Sequence, residues 1–144
     1  MDEKKIKLDL GCGKHKKEGF IGIDIDPDSD ADIVISALTL PFEGDTVDEI
    51  SSRHLVEHFS PEEAKTFFAE IYRVLKRGGQ AGLKVDRDWT RRKLLNKDKT
   101  HKHRYSAQEI RDLTKNFSFA EVKNKIYLLN LYTLRNKIFV CLKK

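Results

Sequence analysis

The chain has 144 residues, of which 39% are hydrophobic and 35% are charged, and its formal net charge is +5. A chain of this size is expected to fold as one globular domain, residues 1–144. No apolar run approaches the roughly 20 residues of a membrane span, the N-terminal residues lack the apolar core of a secretory signal, and the two cysteines indicate no disulfide framework. These features predict a cytoplasmic protein without a membrane partner.

The charge is unevenly distributed along the chain. Residues 1–50 carry a balance of −7, whereas residues 51–144 carry +12. Residues 87–104 alone contribute +6, with Trp89 and Tyr105 among or beside the charges. A cationic segment with aromatic residues suits a polyanion such as RNA, because binding releases condensed counterions. A solvated loop in a lysine-rich protein is the alternative explanation.

The first half of the chain predicts four short strands. Residues 6–10 alternate apolar and polar side chains, and residues 20–24 form a second apolar run that ends in an acid. Between them, the glycines of residues 11–13 predict a tight turn whose backbone can approach a ligand closely. Residues 32–35 and 47–52 are predicted as the third and fourth strands.

The second half predicts two capped helices and three more strands. Ser60 and Ser106 each precede a Glu by three residues, which is the signature of a capping box. The first helix is expected to stop at Gly78-Gly79, and the second to continue through Phe117. The further strands are predicted over residues 80–85, 119–129 and 134–142.

The connections between the first three strands are short. Residues 14–19 and 26–31 cannot hold multi-turn helices, although an extended segment can return along a short strand. The two predicted helices follow later strands, and Lys7, Asp9 and Lys84 stand opposite the apolar residues of their strands. We therefore predict an α/β fold with a mostly parallel sheet, an antiparallel C-terminal strand and helices mainly on one face. The uncovered face is a candidate homodimer surface.

Five segments, at residues 9–13, 22–24, 40–48, 54–58 and 72–79, follow one another along the chain. In that order they resemble the small type 11 domain of class I S-adenosylmethionine-dependent methyltransferases. Each motif alone is weak, since Gly-x-Gly also serves other nucleotide sites, but the ordered set is specific. The resemblance covers about residues 6–85. It implies a reduced Rossmann-like methyltransferase fold, with S-adenosylmethionine as the cofactor.

The resemblance also implies which residues hold the cofactor. The glycine turn would meet the methionine and ribose part, Asp24 would accept hydrogen bonds from the ribose hydroxyls, and Ile25 would pack beside the adenine. The implied cofactor-binding residues are Asp9, Gly11, Cys12, Gly13, Asp24, Ile25, Ser36, Ala37, Leu38 and Ser52. Asp26 is a competing ribose ligand. The alternatives are a solvent-facing strand carboxylate for Asp9 and a turn-capping acid for Asp24.

In the resembled family the segment 54–58 lines the pocket between cofactor and acceptor. The resemblance therefore implies His54 and His58 as candidate catalytic residues, as general bases or acceptor contacts. The alternative is that they cap and pack their turn. Their segment, His-x-x-Glu-His, also matches an inverted zinc-protease motif, but that motif requires a helix and a distant third ligand. In related small methyltransferases a histidine-containing segment at this place folds over the mouth of the active site, which implies His101, His103 and Tyr105 as acceptor-binding residues. Arg91 and Arg92, in the cationic segment, are further acceptor-binding candidates. Four histidines could converge on a metal ion, but loops seldom achieve this, and no metal site is predicted.

Two functions compete. The first is methyl transfer to an anionic acceptor, either RNA or a small phosphorylated or carboxylated metabolite. The second is a non-catalytic module that has lost its enclosing helices and binds nucleic acid or a protein partner. A zinc hydrolase is a distant third hypothesis.

Overall fold

A seven-stranded sheet organises the protein. A computed structural model describes residues 5–86, 100–130 and 133–144. The strands are β1 (Lys7–Leu10), β2 (Ile21–Asp24), β3 (Ile33–Val34), β4 (Val47–Arg53), β5 (Leu75–Asp86), β6 (Phe119–Asn130) and β7 (Thr133–Lys143). Their order is β3-β2-β1-β4-β5-β7-β6, and β7 is antiparallel to both of its neighbours while the other neighbouring pairs are parallel. The prediction of a mostly parallel sheet with an antiparallel C-terminal strand is confirmed.

Two helices, α1 (Pro61–Val74) and α2 (Ala107–Leu113), and a 3-10 turn, Val56–His58, accompany the sheet. Both predicted capping boxes are present. Ser60 Oγ accepts from the Glu63 N–H at 3.3 Å, and the Ser60 N–H donates to Glu63 Oε2 at 2.8 Å. Ser106 and Glu109 repeat this arrangement at 3.1 and 2.7 Å. Neither helix is long and apolar enough to cross a membrane, and no other helix occurs in the described ranges.

The end of α1 was predicted wrongly. The helix stops at Val74, because Leu75 takes an extended conformation (ψ 134°) and begins β5. Gly78, the predicted helix stop, lies within β5 at φ 79°. There residues 76–79 interrupt the regular pairing with β4. The Gly78 N–H donates to the Lys144 carbonyl at 2.8 Å, so the distant C-terminus accommodates this irregular stretch.

The end of α2 and the length of β3 also differ from the prediction. α2 ends at Leu113 instead of continuing through Phe117. The buried hydroxyl of Thr114 donates to the Ile110 carbonyl at 2.9 Å and closes the last turn. Phe117 still reaches the core, where its ring packs edge-on against Tyr72. β3 comprises only Ile33–Val34.

The apolar core lies against one face of the sheet. Leu8, Leu10 and Ile50 are at most 1% exposed, and they belong to one cluster with residues of both helices, including Phe67 and Ile110. Alternate residues along a strand point to opposite faces. The burial pattern therefore places both helices on the same side of the sheet, as predicted.

The second face of the sheet carries charged and small side chains. Lys7 Nζ lies 3.1 Å from Glu49 Oε2, and Lys84 Nζ lies 5.8 Å from the centre of the Phe139 ring. A groove of about 320 Å³ on this face includes Gly82 in its lining. Cys141, which also lines the groove, is exposed. No helix of the described ranges covers this groove.

Hydrogen bonds hold the short connection between β1 and β2. Asp9 is 1% exposed, and its Oδ2 accepts from the Lys17 N–H at 2.8 Å. Lys16 Nζ lies 2.8 Å from Asp32 Oδ1, and Asp32 Oδ2 accepts from the Gly22 N–H at 2.7 Å. The chain therefore returns to a parallel strand without a helix, because acids of β1 and of the segment before β3 fix the returning backbone.

Candidate active site

The glycine turn lies at the carboxyl ends of β1 and β2, where ligands bind in open α/β sheets. Gly11 and Gly13 have φ angles of 67° and 53°, a left-handed conformation that glycine adopts without steric cost. The Gly11 N–H donates to the Ile23 carbonyl at 2.8 Å, and the Gly13 carbonyl accepts from the Asp30 N–H at 2.7 Å. The turn is thereby fixed to β2 and to the segment that follows it.

The two glycines face different surroundings. A Cβ on Gly11 would lie 2.9 Å from Leu55 Cδ1 and 3.1 Å from Leu55 Cβ. A Cβ on Gly13 would meet no atom within 4 Å. The turn is thus closed against the protein at Gly11 and open at Gly13, so Gly13 is where a ligand could approach the backbone.

Asp24 stands beside the open part of the turn. Its Oδ2 accepts from the Gly13 N–H at 2.9 Å, and its Oδ1 accepts from the Asp26 N–H at 2.9 Å. The hydrogen bond to Gly13 orients the glycine turn, and the hydrogen bond to Asp26 caps the turn that follows β2. A carboxylate oxygen can accept more than one hydrogen bond, so both oxygens retain capacity for a ribose diol. Asp26, the competing ribose ligand, is exposed, and its Oδ1 accepts from the Asp28 N–H at 2.9 Å.

An exposed apolar side chain follows Asp24 directly. Ile25 is 72% exposed, so its aliphatic side chain is accessible to an apolar part of a ligand. The predicted adenine segment lies near, because the Ile35 N–H donates to the Asp24 carbonyl at 2.9 Å. Ser36 Oγ accepts from the Leu38 N–H at 3.2 Å, and Ala37 is buried. An acid next to an exposed apolar surface fits a ribose and an attached base.

Three other implied cofactor residues are buried. Asp9, Cys12 and Ser52 are 1%, 6% and 1% exposed. The burial of Asp9 excludes the solvent-facing alternative. Asp9 Oδ1 and Ser52 Oγ are buried without hydrogen-bond partners. Burial raises the pKa of the Cys12 thiol, and the carboxylates of Asp24 and Asp9 raise it further. This thiol therefore stays protonated near neutral pH.

His54 follows the buried part of β4 in an uncommon backbone conformation. Its φ is 56°, a left-handed value that is rare outside glycine, and its N–H donates to the Lys84 carbonyl at 2.8 Å. The ring lies between two carboxylates. His54 Nδ1 is 3.5 Å from Glu57 Oε1 and 3.9 Å from Asp86 Oδ2.

His58 has different partners. Its Nδ1 lies 2.9 Å from Thr100 Oγ1, and its ring packs edge-on against His101 with 4.8 Å between the centres. The segment containing Glu57 and His58 is a single 3-10 turn and not the α-helix that the zinc-protease motif requires. In the described structure, the rings of His54 and His58 therefore have separate partners and do not form the pair of metal ligands that the motif requires.

The segment after residue 99 folds onto the 3-10 turn. The N–H groups of Lys102 and His103 donate to the Glu57 carbonyl at 2.9 and 3.3 Å. His103 Nε2 lies 2.8 Å from Glu109 Oε1. Hydrogen bonds from the Ser106 N–H and, to a smaller extent, from the His103 side chain lower the pKa of the Glu109 carboxyl to about 2. His103 is thus engaged with α2, and the four histidines do not meet at one point.

Tyr105 lies in the core. It is 1% exposed, and its hydroxyl donates to the Phe59 carbonyl at 2.8 Å. Burial raises its pKa to about 12. This placement disagrees with the expectation of an acceptor contact, because the hydroxyl is already used and out of reach. Arg91 and Arg92 lie outside the described residues.

Sequence reasoning left Asp86 out of the candidate site. Asp86 closes β5, and β5 pairs in parallel with β4, at whose end His54 lies. A carboxylate at the end of a parallel strand is the same signal that singled out Asp24. Glu57 was visible only through the His-x-x-Glu-His spacing, and its burial was not predictable from that spacing.

Known proteins share the family and the fold of this chain. A family model described as a methyltransferase domain matches residues 8–83. The fold is similar to phosphoethanolamine N-methyltransferase 2 of Haemonchus contortus, solved with phosphomonomethylethanolamine and S-adenosylhomocysteine (TM-score 0.80, 16% identity, covering 100% of this chain and 49% of that protein). It is also similar to a SAM-dependent methyltransferase of Archaeoglobus fulgidus (TM-score 0.78, 17% identity, covering 97% and 86%). The chain thus spans about half the length of the Haemonchus protein. No curated protein matches the sequence.

Proposed function

Because the chain belongs to the methyltransferase domain family of class I S-adenosylmethionine-dependent methyltransferases, we propose that it transfers a methyl group from that cofactor to an anionic acceptor. The acceptor would be RNA or a small phosphorylated or carboxylated metabolite. The observation that carries the proposal is the open backbone at Gly13 beside the Asp24 carboxylate and the exposed Ile25 side chain.

The residues present fit the cofactor. The open space over Gly13 leaves room for the methionine and ribose part, Asp24 supplies acceptors for a diol, and Ile25 supplies an apolar surface for a base. When bound, the cofactor supplies a methyl group on a positively charged sulfur, which is already activated for displacement. The task of the protein is then mainly to hold donor and acceptor in line, which can supply much of the rate enhancement.

His54 is the described residue best placed to meet the acceptor. It lies immediately before Leu55, the residue that packs against Gly11 of the cofactor turn. It is partly exposed and has Glu57 and Asp86 for neighbours. His58 faces Thr100 and His101, so its role is to position the segment that follows residue 99. We assign the acceptor contact to His54 and a positioning role to His58.

An anionic acceptor is supported by the charge of the second part of the chain. Residues 51–144 carry a balance of +12, and a cationic surface attracts and steers anionic ligands. A protein of similar fold was solved with phosphomonomethylethanolamine, a phosphate ester. If RNA is the acceptor, reversing the charges of Arg91, Arg92 and Lys93 should weaken RNA binding and flatten its salt dependence. Unchanged RNA affinity would leave the small metabolite as the acceptor.

Calorimetric titration with S-adenosylmethionine and S-adenosylhomocysteine tests the cofactor site. Asp24→Asn should weaken binding at least tenfold, because an amide cannot replace both acceptor oxygens. Asp26→Asn is the matched control, an exposed acid two residues further on, and should leave the affinity unchanged. The reverse pattern would make Asp26 the ribose ligand. A folded wild-type protein that binds neither compound would refute the proposal and favour the non-catalytic binding module.

We also propose a homodimer through the second sheet face and a cytoplasmic location. The support for the dimer is the uncovered groove around Gly82, and the free thiols of Cys12 and Cys141 are compatible with a reducing compartment. A Cβ on Gly82 would meet no atom within 4 Å, so Gly82→Lys should fold normally. Sedimentation velocity should show a dimer for the wild type and a monomer for this variant. A monomeric wild type would refute the dimer.

A further inference from the structure

Three side chains at the ends of β4 and β5 form a compact group of metal-binding atoms. They are the Nδ1 of His54 and carboxylate oxygens of Glu57 and Asp86, and all lie within 4.8 Å of one another. His54 Nδ1 is 3.5 Å from Glu57 and 3.9 Å from Asp86. One imidazole nitrogen and two carboxylate oxygens form a donor set that suits divalent metal ions.

The carboxylate of Glu57 shows that this group is more than an acidic cluster. Glu57 is 1% exposed, and both of its carboxylate oxygens are buried without a hydrogen-bond partner. Burying an unpaired ionised carboxylate destabilises the folded state by several kcal/mol or more, so such a group normally has a cationic partner. Among the described residues, His54 is the ion-pair partner of this carboxylate, with its Nδ1 3.5 Å from Oε1, and a neutral imidazole does not supply the missing positive charge.

The donors of the segment that binds the Glu57 backbone do not hydrogen-bond to the Glu57 carboxylate. The N–H groups of Lys102 and His103 bind the backbone carbonyl of Glu57 and not its side chain. The ammonium of Lys102 lies 2.9 Å from Glu63 Oε2. Arg104 Nη1 is itself buried without a hydrogen-bond partner, so it does not compensate Glu57 through a hydrogen bond.

We propose that His54, Glu57 and Asp86 bind one divalent transition-metal ion, Zn²⁺ or Mn²⁺. Imidazole favours the transition metals and carboxylates accommodate both ions. The separations between these ligand atoms, at most 4.8 Å, would shorten if each atom bound the ion at about 2.0–2.2 Å. The left-handed backbone of His54 is the local feature that places its ring between the two acids.

The position of the site suggests what the metal would hold. His54 directly precedes Leu55, which packs against the glycine turn, so the site adjoins the proposed cofactor site. Three protein ligands leave coordination positions for an outside oxygen. An anionic acceptor would otherwise be repelled by Glu57 and Asp86, whereas a metal ion would reverse the local charge. This statement about the acceptor rests on the proposed function, but metal binding itself does not.

Titration of untagged, metal-free protein with ZnCl₂ and with MnCl₂, without S-adenosylmethionine, tests the site. We expect one ion per chain for at least one of the metals. His54→Gln, Glu57→Gln and Asp86→Asn should each weaken that binding at least tenfold. Asp112→Asn is the matched control, since Asp112 is a carboxylate of α2 that already forms an ion pair with Lys115. It should bind as the wild type does.

Thermal unfolding separates a metal ligand from a structural acid. In metal-free protein, Glu57→Gln should be at least as stable as the wild type, because the variant buries no unpaired charge. The metal should raise the Tm of the wild type by mass action and leave that of Glu57→Gln unchanged. Absence of binding, or binding that all three variants retain, overturns the proposal. Because the titration omits the cofactor, its failure would not affect the cofactor test with Asp24→Asn.

Discussion

Of the alanine substitutions at the two glycines of the cofactor turn, Gly11→Ala should cost more stability, whereas Gly13→Ala should cost more cofactor affinity. Both residues have positive φ, and a non-glycine residue in that conformation costs about 1–2 kcal/mol. In Gly11→Ala the new methyl group would also lie 2.9 Å from Leu55 Cδ1, and overpacking adds about 1–3 kcal/mol. We expect a total loss of about 2–5 kcal/mol for Gly11→Ala and about 1–2 kcal/mol for Gly13→Ala.

Urea denaturation measures the difference. With a slope of about 2 kcal/mol per molar urea, Gly11→Ala should lower the midpoint by about 1–2.5 M and Gly13→Ala by about 0.5–1 M. In a Leu55→Ala background the cost of Gly11→Ala should fall, because the two nearby methyl carbons of Leu55, Cδ1 at 2.9 Å and Cδ2 at 3.1 Å, are removed. Such a coupling is what a double-mutant cycle detects.

Cofactor titration completes the comparison. Gly13→Ala should reduce the affinity for S-adenosylmethionine at least tenfold, since its methyl group would occupy the open space over the turn. Gly11→Ala, studied well below its unfolding midpoint, should keep most of the affinity because its methyl group points at Leu55. Equal stability losses for the two variants, or loss of affinity only in Gly11→Ala, would contradict this account of the turn.

Three further outcomes follow from individual contacts. Tyr105→Phe should lose about 1–2 kcal/mol of stability without changing cofactor affinity, because it removes the donor to the Phe59 carbonyl; unchanged urea denaturation would show that this bond is not needed. The pKa of Glu109 is lowered in the folded protein from 4.5 to about 2, so its contribution to stability is complete above pH 4.5 and is lost as the pH falls towards 2. Glu109→Gln should flatten acid unfolding over that range, and an identical acid profile would argue against the effect. Ser60→Ala should cost about 1 kcal/mol through the lost N-cap, measured as a lower Tm, and Thr66→Ala on the same helix is a control for substitution away from the cap.

Local sequence signals predicted most of the secondary structure. The capping boxes at Ser60 and Ser106 were found because every group that forms them lies within four residues. The end of α1 was missed because it depends on distant contacts. Gly78 continues β5, and it does so with a hydrogen bond to Lys144 at the far end of the chain. A glycine pair after a helical pattern could not reveal that the chain is already in a strand at this point.

In the candidate site, too, features that depend on a local motif were predictable and features that depend on distant contacts were not. The glycine turn and Asp24 follow one another at the ends of adjacent strands, and their motif could be read directly from the sequence. The group around His54 could not. It depends on a positive φ at a histidine and on which strand ends become neighbours, and neither is encoded in a short window. Tyr105 was misassigned because a tyrosine among charged residues gives no sign that its ring is buried.

The short return from β1 to β2 has a consequence for how the chain folds. Parallel strands are usually joined through a long crossover, so their pairing must close a large loop. Here Leu8 pairs with Ile21 and Leu10 with Ile23, partners only thirteen residues apart. The entropy of loop closure rises with loop length, and distant pairings slow folding. We therefore expect β1 and β2 to pair early and β5 to await β7, whose residue Ile138 pairs with Val85 across more than fifty intervening positions.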